Sequence, residues 1–154
     1  MKLYIHQGTL GWQDTLELSD EHGNAVYLGK SELKSDGRLM RVFDRNGEEV
    51  FSVFERARAL RGRFDVKVKG KPAFSVVKRL FGAGYELKDI AVTVRGDWRQ
   101  HDYELGRDGL TMAVIRPERL RWGNCTAVSV TDEKDELCAL GAALVIDCLS
   151  CTAK

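Results

Sequence analysis

The chain has 154 residues, of which 44% are hydrophobic and 31% are charged, with 24 Lys and Arg against 23 Asp and Glu. This length fits one domain over residues 1–154 and excludes a second core, since domains commonly hold about 100–200 residues. The composition excludes a disordered chain and predicts a soluble globule. A formal net charge of +1 excludes attraction of the whole surface to nucleic acid or acidic membranes, so such binding requires local clusters of charge.

The N-terminal residues carry no secretory signal, because residues 1–8 lack the apolar stretch of about 7–15 residues that such a signal needs. We therefore expect a cytoplasmic protein. Cysteines stay reduced in that compartment, so we expect no disulfide among Cys125, Cys138, Cys148 and Cys151. The spacing of Cys148 and Cys151 would suit half of a zinc site or a redox pair, but no second pair exists, and buried packing is the better interpretation.

Glycine turns recur along the first half of the chain, at Gly23, Gly47 and Gly70, and each is followed by a β-prone run. One such unit spans about two strands, which predicts a series of hairpins. Apolar and polar residues alternate over residues 64–69, 90–95 and 126–130, as in strands with one buried face. The segment from Glu32 to Gly37 is interpreted as a further turn. About twelve strands are predicted between Lys2 and Thr131.

The chain changes character after Thr131. Thr131 or Asp132 can cap a helix, acidic residues follow in its first turns, and residues 137–146 are apolar on every face. Such a helix must be surrounded by protein or by lipid. The run is half of the roughly 20 residues that a membrane span needs, and Asp147 would lie in hydrocarbon, so we predict no transmembrane segment.

About twelve strands can close around a helix that is roughly 10 Å across. The predicted fold is therefore mainly β, a closed antiparallel barrel of about 12 strands that encloses one hydrophobic C-terminal α-helix. Closure also removes the sheet edges that invite aggregation. A buried Asp147 then needs a partner, and we expect an inward Arg, Lys, Tyr or backbone donor that fixes the position of the helix.

Several local patterns carry a family resemblance. They are the start at residues 1–5, the turn at Trp12, residues 20–24 and 44–50, the stretch from Gly96 to Tyr103, and residues 135–137 before the final helix. Together they resemble the short prokaryotic members of the LURP-one-related family, whose fold is shared with the tubby C-terminal domain and the phospholipid scramblases. The resemblance implies the same barrel and central helix, and it covers essentially the whole chain. It does not by itself imply a function.

The strongest electrostatic feature is a basic segment between Arg56 and Arg79, in which nine Lys and Arg residues face one acid, Asp65. The turn at Gly62 and the outward face shared by Lys67 and Lys69 predict that several of these charges converge. Such a patch suits an anionic phospholipid headgroup or an acidic protein. The predicted ligand-binding residues are Arg56, Arg58, Arg61, Arg63, Lys67, Lys69 and Lys71. The alternative is a solvated face that maintains solubility.

The segment around Arg56 and Arg58 is also similar to the tubby-domain strand whose basic residues bind phosphoinositide headgroups. The likeness is limited to these two residues, since Ala59 and Leu60 follow them. Two other functions stay open. One is a scaffold that recognises protein, and the other is scramblase-like lipid handling, which requires the final helix to enter a bilayer.

Motifs for catalysis are absent from the sequence, so we predict a protein that is not an enzyme and that binds no cofactor, metal or nucleotide. Gly29-Lys30-Ser31 lacks the earlier glycine of a phosphate-binding loop. His101 and Asp102, as strand neighbours, would point to opposite faces, so no catalytic triad is predicted. Trp12, Trp98 and Trp122 could stack on bases, but they are better explained as core residues.

Overall fold

The computed structural model describes residues 2–6, 12, 14–57, 62–79 and 84–149. This part of the chain forms one antiparallel sheet of twelve strands. The strands are β1 (Lys2–His6), β2 (Thr15–Ser19), β3 (Ala25–Lys34), β4 (Gly37–Phe43), β5 (Glu49–Arg56), β6 (Arg63–Val68), β7 (Lys71–Lys78), β8 (Tyr85–Lys88), β9 (Thr93–Asp97), β10 (Asp102–Arg107), β11 (Leu110–Leu120) and β12 (Gly123–Val130).

The order of strands in the sheet makes a nearly closed barrel. It runs β8-β7-β6-β5-β4-β3-β2-β1-β12-β11-β10-β9, so strands next to each other in the chain pair, and β12 returns to pair with β1. The two ends of this order, β8 and β9, lie beside each other. The predicted fold class is confirmed, with one difference. Among the described residues no hydrogen-bonded ladder joins β8 to β9, and Tyr85 and Trp98 close this seam by an edge-to-face contact with ring centroids 5.0 Å apart.

The three predicted glycine turns are confirmed. Gly23, Gly47 and Gly70 have φ of 83°, 80° and 79°, a backbone conformation that glycine adopts without the steric cost of a Cβ. Asp44 fixes its turn through Oδ1, which accepts hydrogen bonds from the backbone N–H of Asn46 and Glu48 at 2.9 and 3.0 Å. Asp20 does the same for the first turn. These side-chain bonds replace water and set the register of the strands that follow.

The final helix is the core of the barrel. Asp132 caps a 3-10 turn (Glu133–Asp135), which continues into α1 (Glu136–Leu144) and a π-helical turn (Val145–Leu149). Leu140 and Leu144 are fully buried against inward side chains such as Phe51. No helix within the described ranges is long and apolar enough to cross a membrane. The predicted helix and its all-round burial are therefore confirmed.

Two local predictions were wrong. β3 continues as a strand to Lys34, so the turn before β4 consists of Ser35 and Asp36 rather than the whole stretch from Glu32. Likewise, β9 begins at Thr93, although alternation predicts a strand from residue 90. In the first case cross-strand pairing of Lys34 with Gly37 extends the hairpin. In the second, Val92 is buried without belonging to a strand.

One partner of Asp147 is a residue type that was not expected. It is a histidine, His101, whose Nδ1 lies 2.9 Å from Oδ1 of Asp147. His101 is not a strand residue: it ends the 3-10 turn Trp98–Gln100 with a left-handed φ of 57°. That conformation turns the imidazole toward the end of the helix. The expectation that His101 and Asp102 are neighbours within a strand is therefore wrong, because β10 begins at Asp102. The expected role of Asp147 in fixing the helix agrees with the contact.

The barrel has two ends of different charge. We define the basic end as the end with the β3–β4, β5–β6 and β7–β8 connections, whose described cations are Lys34, Arg38, Arg56, Arg63, Lys78 and Arg79. The acidic end holds the β2–β3, β4–β5 and β6–β7 turns and the start of α1. Its described acids include Asp20, Glu21, Asp44, Glu48, Glu133 and Asp135. Charges of the opposite sign are present at each end, such as Lys69 and Lys71 at the acidic end and Asp36 and Glu55 at the basic end, so the two ends differ in the balance of their charges.

Candidate functional site

A groove on the outer face of β4, β5 and β6 gathers part of the predicted basic set. Its volume is about 1420 Å³, and Arg56, Arg63 and Lys67 line it together. Arg56 is the last residue of β5 and Arg63 the first of β6, so the antiparallel pairing of these strands places both at the basic end. Arg58 and Arg61, which were predicted with them, lie outside the described residues.

The lone acid of the basic segment lies between the two arginines. Asp65 Oδ2 accepts a hydrogen bond from Arg56 Nε at 2.7 Å, and its Oδ1 accepts one from Arg63 Nε at 3.2 Å. Ser75 Oγ donates to Asp65 Oδ1 at 2.6 Å and accepts from Arg63 Nη2 at 3.2 Å. Both arginines are thereby held in fixed positions on the barrel wall, as a preformed binding site requires.

The pKa of Asp65 reflects this arrangement. Partial burial favours the neutral acid, but the hydrogen bonds from Ser75 and Arg56, with the positive charge of Arg56, outweigh it and lower the pKa of the Asp65 carboxyl. Asp65 is therefore a carboxylate at neutral pH. It partly neutralises both arginines and anchors them at the same time.

The groove also contains cations that were not predicted. Lys34 and Arg41 line it, which brings the lining to five cations against three carboxylates, Asp36, Glu49 and Asp65. Arg41 is itself paired, with Glu32 at 3.2 Å and Glu49 at 3.7 Å. Half-buried Leu39 and Phe54 provide apolar surface between these charges. Arg41 lies 26 residues before Lys67 in the chain, but in the sheet both flank Ser52.

The other two predicted residues do not join the groove. Lys69 was expected to share the outward face of its strand with Lys67, but β6 ends at Val68 and Lys69 lies in the turn with φ of 51°. That turn directs it to a separate groove at the acidic end, which Glu48 and Glu133 also line. Lys71 begins β7 and is exposed outside the lining of the first groove. The predicted patch is thus divided between two ends of the barrel.

The groove at the acidic end has a different chemistry. Tyr27 donates a hydrogen bond to Glu136 Oε2 at 2.6 Å beneath it. Burial, followed by this hydrogen bond and the charges of Glu136, Asp44 and Glu133, raises the pKa of the Tyr27 hydroxyl. Tyr27 therefore stays a neutral donor that ties the start of α1 to β3.

The remaining candidate residues are distributed without forming a second site. Cys125, which is buried, and Cys138, which is half-buried, form no disulfide. The side chain of Cys148 and the whole of Cys151 lie outside the described residues. Within the described ranges no three His, Cys, Asp or Glu side chains are placed to hold a metal ion. Trp12 and Trp98 pack against the main core and Trp122 against a smaller cluster around Tyr4.

Comparison with known proteins places this barrel in a family. The family model described as LURP-one-related matches residues 1–147. The chain belongs to the LURP-one-related family. The predicted resemblance is confirmed by a match that spans all twelve strands, α1 and the residue Asp147.

Two relatives extend the comparison. An uncharacterized protein of Bacillus subtilis (strain 168), YxjI, is 20% identical over 150 residues, which are 96% of this chain and 92% of the relative. An X-ray structure of an Arabidopsis thaliana protein superposes with a TM-score of 0.62 at 16% identity and covers 94% of this chain and 86% of that one. This LURP-one-related chain therefore shares its fold with a plant protein and nearly its full length with a bacterial one.

Proposed function

We propose that this LURP-one-related protein is a non-enzymatic binding domain whose groove of Arg56, Arg63 and Lys67 contacts anionic phospholipid headgroups at the cytoplasmic surface of a membrane. The observation that carries the proposal is the pair of arginines held by Asp65. Each guanidinium has five N–H donors, and Asp65 accepts only from the Nε of each. Arg56, whose side chain is 54% exposed, keeps donors for a phosphate oxygen.

The size of the charge favours weak, reversible binding. A Lys or Arg near an acidic membrane contributes about 1 kcal/mol. With five cations and three carboxylates in the groove, the excess is small. The protein would therefore associate peripherally and would dissociate as salt screens the charges.

Two other functions receive less support. Lipid scrambling requires α1 to enter a bilayer, yet Leu140 and Leu144 of this helix already fill the barrel. Recognition of a protein partner through an exposed strand would depend little on Arg56 and would survive high salt. Binding that is lost at high salt would therefore indicate headgroup contact, whereas binding that persists at high salt would indicate a protein partner.

Sedimentation with phosphatidylcholine vesicles, with and without phosphatidylserine, tests the proposal. Arg56→Glu reverses one charge in the groove and should weaken binding to the acidic vesicles by about 2 kcal/mol. Lys69→Glu is the matched control, because it makes the same change in net charge at the acidic end, and it should have little effect.

Two results would contradict headgroup binding. One is equal recovery of the wild-type protein with neutral and acidic vesicles. The other is an equal loss of binding in Arg56→Glu and Lys69→Glu, which would show that overall charge rather than the groove controls attraction. Circular dichroism of each variant confirms that the fold is retained.

A further inference from the structure

The β3–β4 hairpin carries an unusual side chain at the basic end. Among the described residues, the large hydrophobic side chains that are highly exposed are Leu33, at 81%, and Leu110, at 73%. Leu33 pairs with Arg38 one step before the turn of Ser35 and Asp36. Leu33 is on the same side of β3 as Gly29, which faces the interior of the barrel. Leu33 lies beyond the rim, however, and none of the described core residues covers it.

This hairpin is continuous with the groove. Lys34, Ser35 and Asp36 of its tip line the groove together with Arg56 and Arg63. The backbone N–H of Ala57, directly after β5, donates to the carbonyl oxygen of Asp36 at 3.0 Å. The tip is therefore held against the strand that carries Arg56, and Leu33 lies on the opposite face of the hairpin from the groove, across from Arg38.

The two exposed leucines lie at opposite ends of the barrel. Leu110 begins β11 next to the turn of Asp108 and Gly109, at the acidic end. Leu33 is flanked by Lys34, which pairs with Glu32 at 3.2 Å, and faces Arg38 across the hairpin. An anionic surface would therefore attract the end with Leu33 and repel the end with Leu110.

We propose that Leu33 is a membrane anchor, which inserts into the acyl region of an anionic bilayer while Lys34, Arg38 and Arg56 contact the headgroups. This inference rests on the proposed function and adds the orientation of the barrel, with its basic end on the membrane. A soluble headgroup would satisfy the groove but leave Leu33 in water. A bilayer offers anionic oxygens and hydrocarbon side by side, as this arrangement of cations around one leucine requires.

Vesicle binding of the full chain tests the anchor with a matched pair of variants. Leu33→Ser should weaken binding to vesicles of phosphatidylcholine and phosphatidylserine about tenfold, because it removes the inserted side chain. Leu110→Ser makes the same substitution at the opposite end and should change affinity less than twofold. Both positions are exposed, so both variants should unfold at the same denaturant concentration as the wild-type protein.

Fluorescence gives the depth of insertion. In Leu33→Trp, vesicles with brominated acyl chains should quench the added emission, whereas in Leu110→Trp they should not. If the wild-type protein binds acidic vesicles through Arg56 but Leu33→Ser equals Leu110→Ser, or the tryptophan at position 33 escapes quenching, the anchor is refuted and headgroup binding stands. If the wild-type protein binds no acidic vesicle, both proposals fail.

Discussion

His101 and Asp147 join a connection of the barrel to the end of the buried helix. The Asp147 side chain is 2% exposed and that of His101 26%, so the pair lies at the boundary between core and solvent. The close contact with Asp147 raises the pKa of His101, although burial opposes the charged imidazole. A buried carboxylate paired with an imidazolium avoids the cost of an isolated charge.

The stability of the protein should therefore depend on pH through His101. Because the folded-state pKa is raised, its contribution is fully present below the unfolded value of about 6.5 and is lost as pH rises through the raised pKa. Urea unfolding should show this loss in the wild-type protein and not in His101→Gln. Asp147→Asn should cost about 3 kcal/mol at low pH, where it leaves the imidazolium unpaired. Equal pH dependence in wild type and His101→Gln would contradict the pairing.

The sequence predicts the need for a partner at Asp147 but not which residue supplies it. A carboxylate within an apolar helix must be paired, and this holds without knowledge of the fold. His101 is 46 positions earlier in the chain, and only its left-handed turn brings the ring to the helix. In the same way, Asp65 is visible as the single acid of the basic segment, whereas its position between Arg56 and Arg63 follows from strand pairing.

At the scale of elements, the helix fits the barrel through its small residues. A Cβ on Gly141 would lie 3.0 Å from Val66 Cγ1 and 3.7 Å from Phe74 Cζ. Glycine weakens a helix by about 1 kcal/mol relative to alanine. Here it permits close approach of α1 to β6, so packing outweighs helix propensity.

A larger residue at this position should separate helix and sheet. Gly141→Leu should destabilise the protein by about 3 kcal/mol or more, because the added atoms overlap Val66. Val66→Ala opens space at that contact, so the double variant should lose less stability than the sum of the two single losses. Chemical denaturation of the four proteins measures the coupling. Strict additivity would show that Gly141 does not contact Val66.

Elements with strong local signals were predicted well. The glycine turns and the apolar helix depend on residues close in sequence, so their positions follow from conformational preference and periodicity. The ends of β3 and β9 were misplaced because pairing with a neighbouring strand decides them. Lys69 was assigned to the wrong face for the same reason, since its turn begins one residue earlier than alternation implies.

At the scale of the whole molecule, the boundary between β8 and β9 is weak, because no hydrogen-bonded ladder joins them among the described residues. β8 and β9 are held at the seam by the contact of Tyr85 with Trp98, and Arg99 lies 5.1 Å from the centroid of the Trp98 ring. Elsewhere each described strand has a paired neighbour on both sides. Local opening should therefore begin at this seam.

Native-state hydrogen exchange can locate that opening. Amides of β8 and β9 should exchange before those of β4 and β5, which have hydrogen-bonded neighbours on both sides. Trp98→Ala should speed exchange in β8 and β9 about tenfold, which corresponds to roughly 1.4 kcal/mol. Trp122→Ala replaces a half-buried tryptophan that packs against Tyr4 rather than at the seam, so it is the control and should leave these amides unchanged. Uniform exchange across all strands would contradict a weak seam.

The polarity of the barrel is a property that the composition conceals. The sequence shows a basic segment and a nearly neutral total, but only the strand order shows which of these charges lie at each end of the barrel. Of the residues predicted to form one patch, Arg56, Arg63 and Lys67 line one groove, whereas Lys69 lines a separate groove for that reason. Alternation defines the two faces of a strand and does not say which end of the barrel a turn occupies.

The place of α1 after all twelve strands has a consequence for synthesis. A ribosome that makes about 5–20 residues per second completes the entire sheet before the segment that fills it has been translated. Until then the apolar faces of the strands have nothing to enclose, so the nascent polypeptide cannot reach its native state gradually. We expect folding to occur late and in one step, and chaperones that shield exposed strands to be needed during elongation rather than after release.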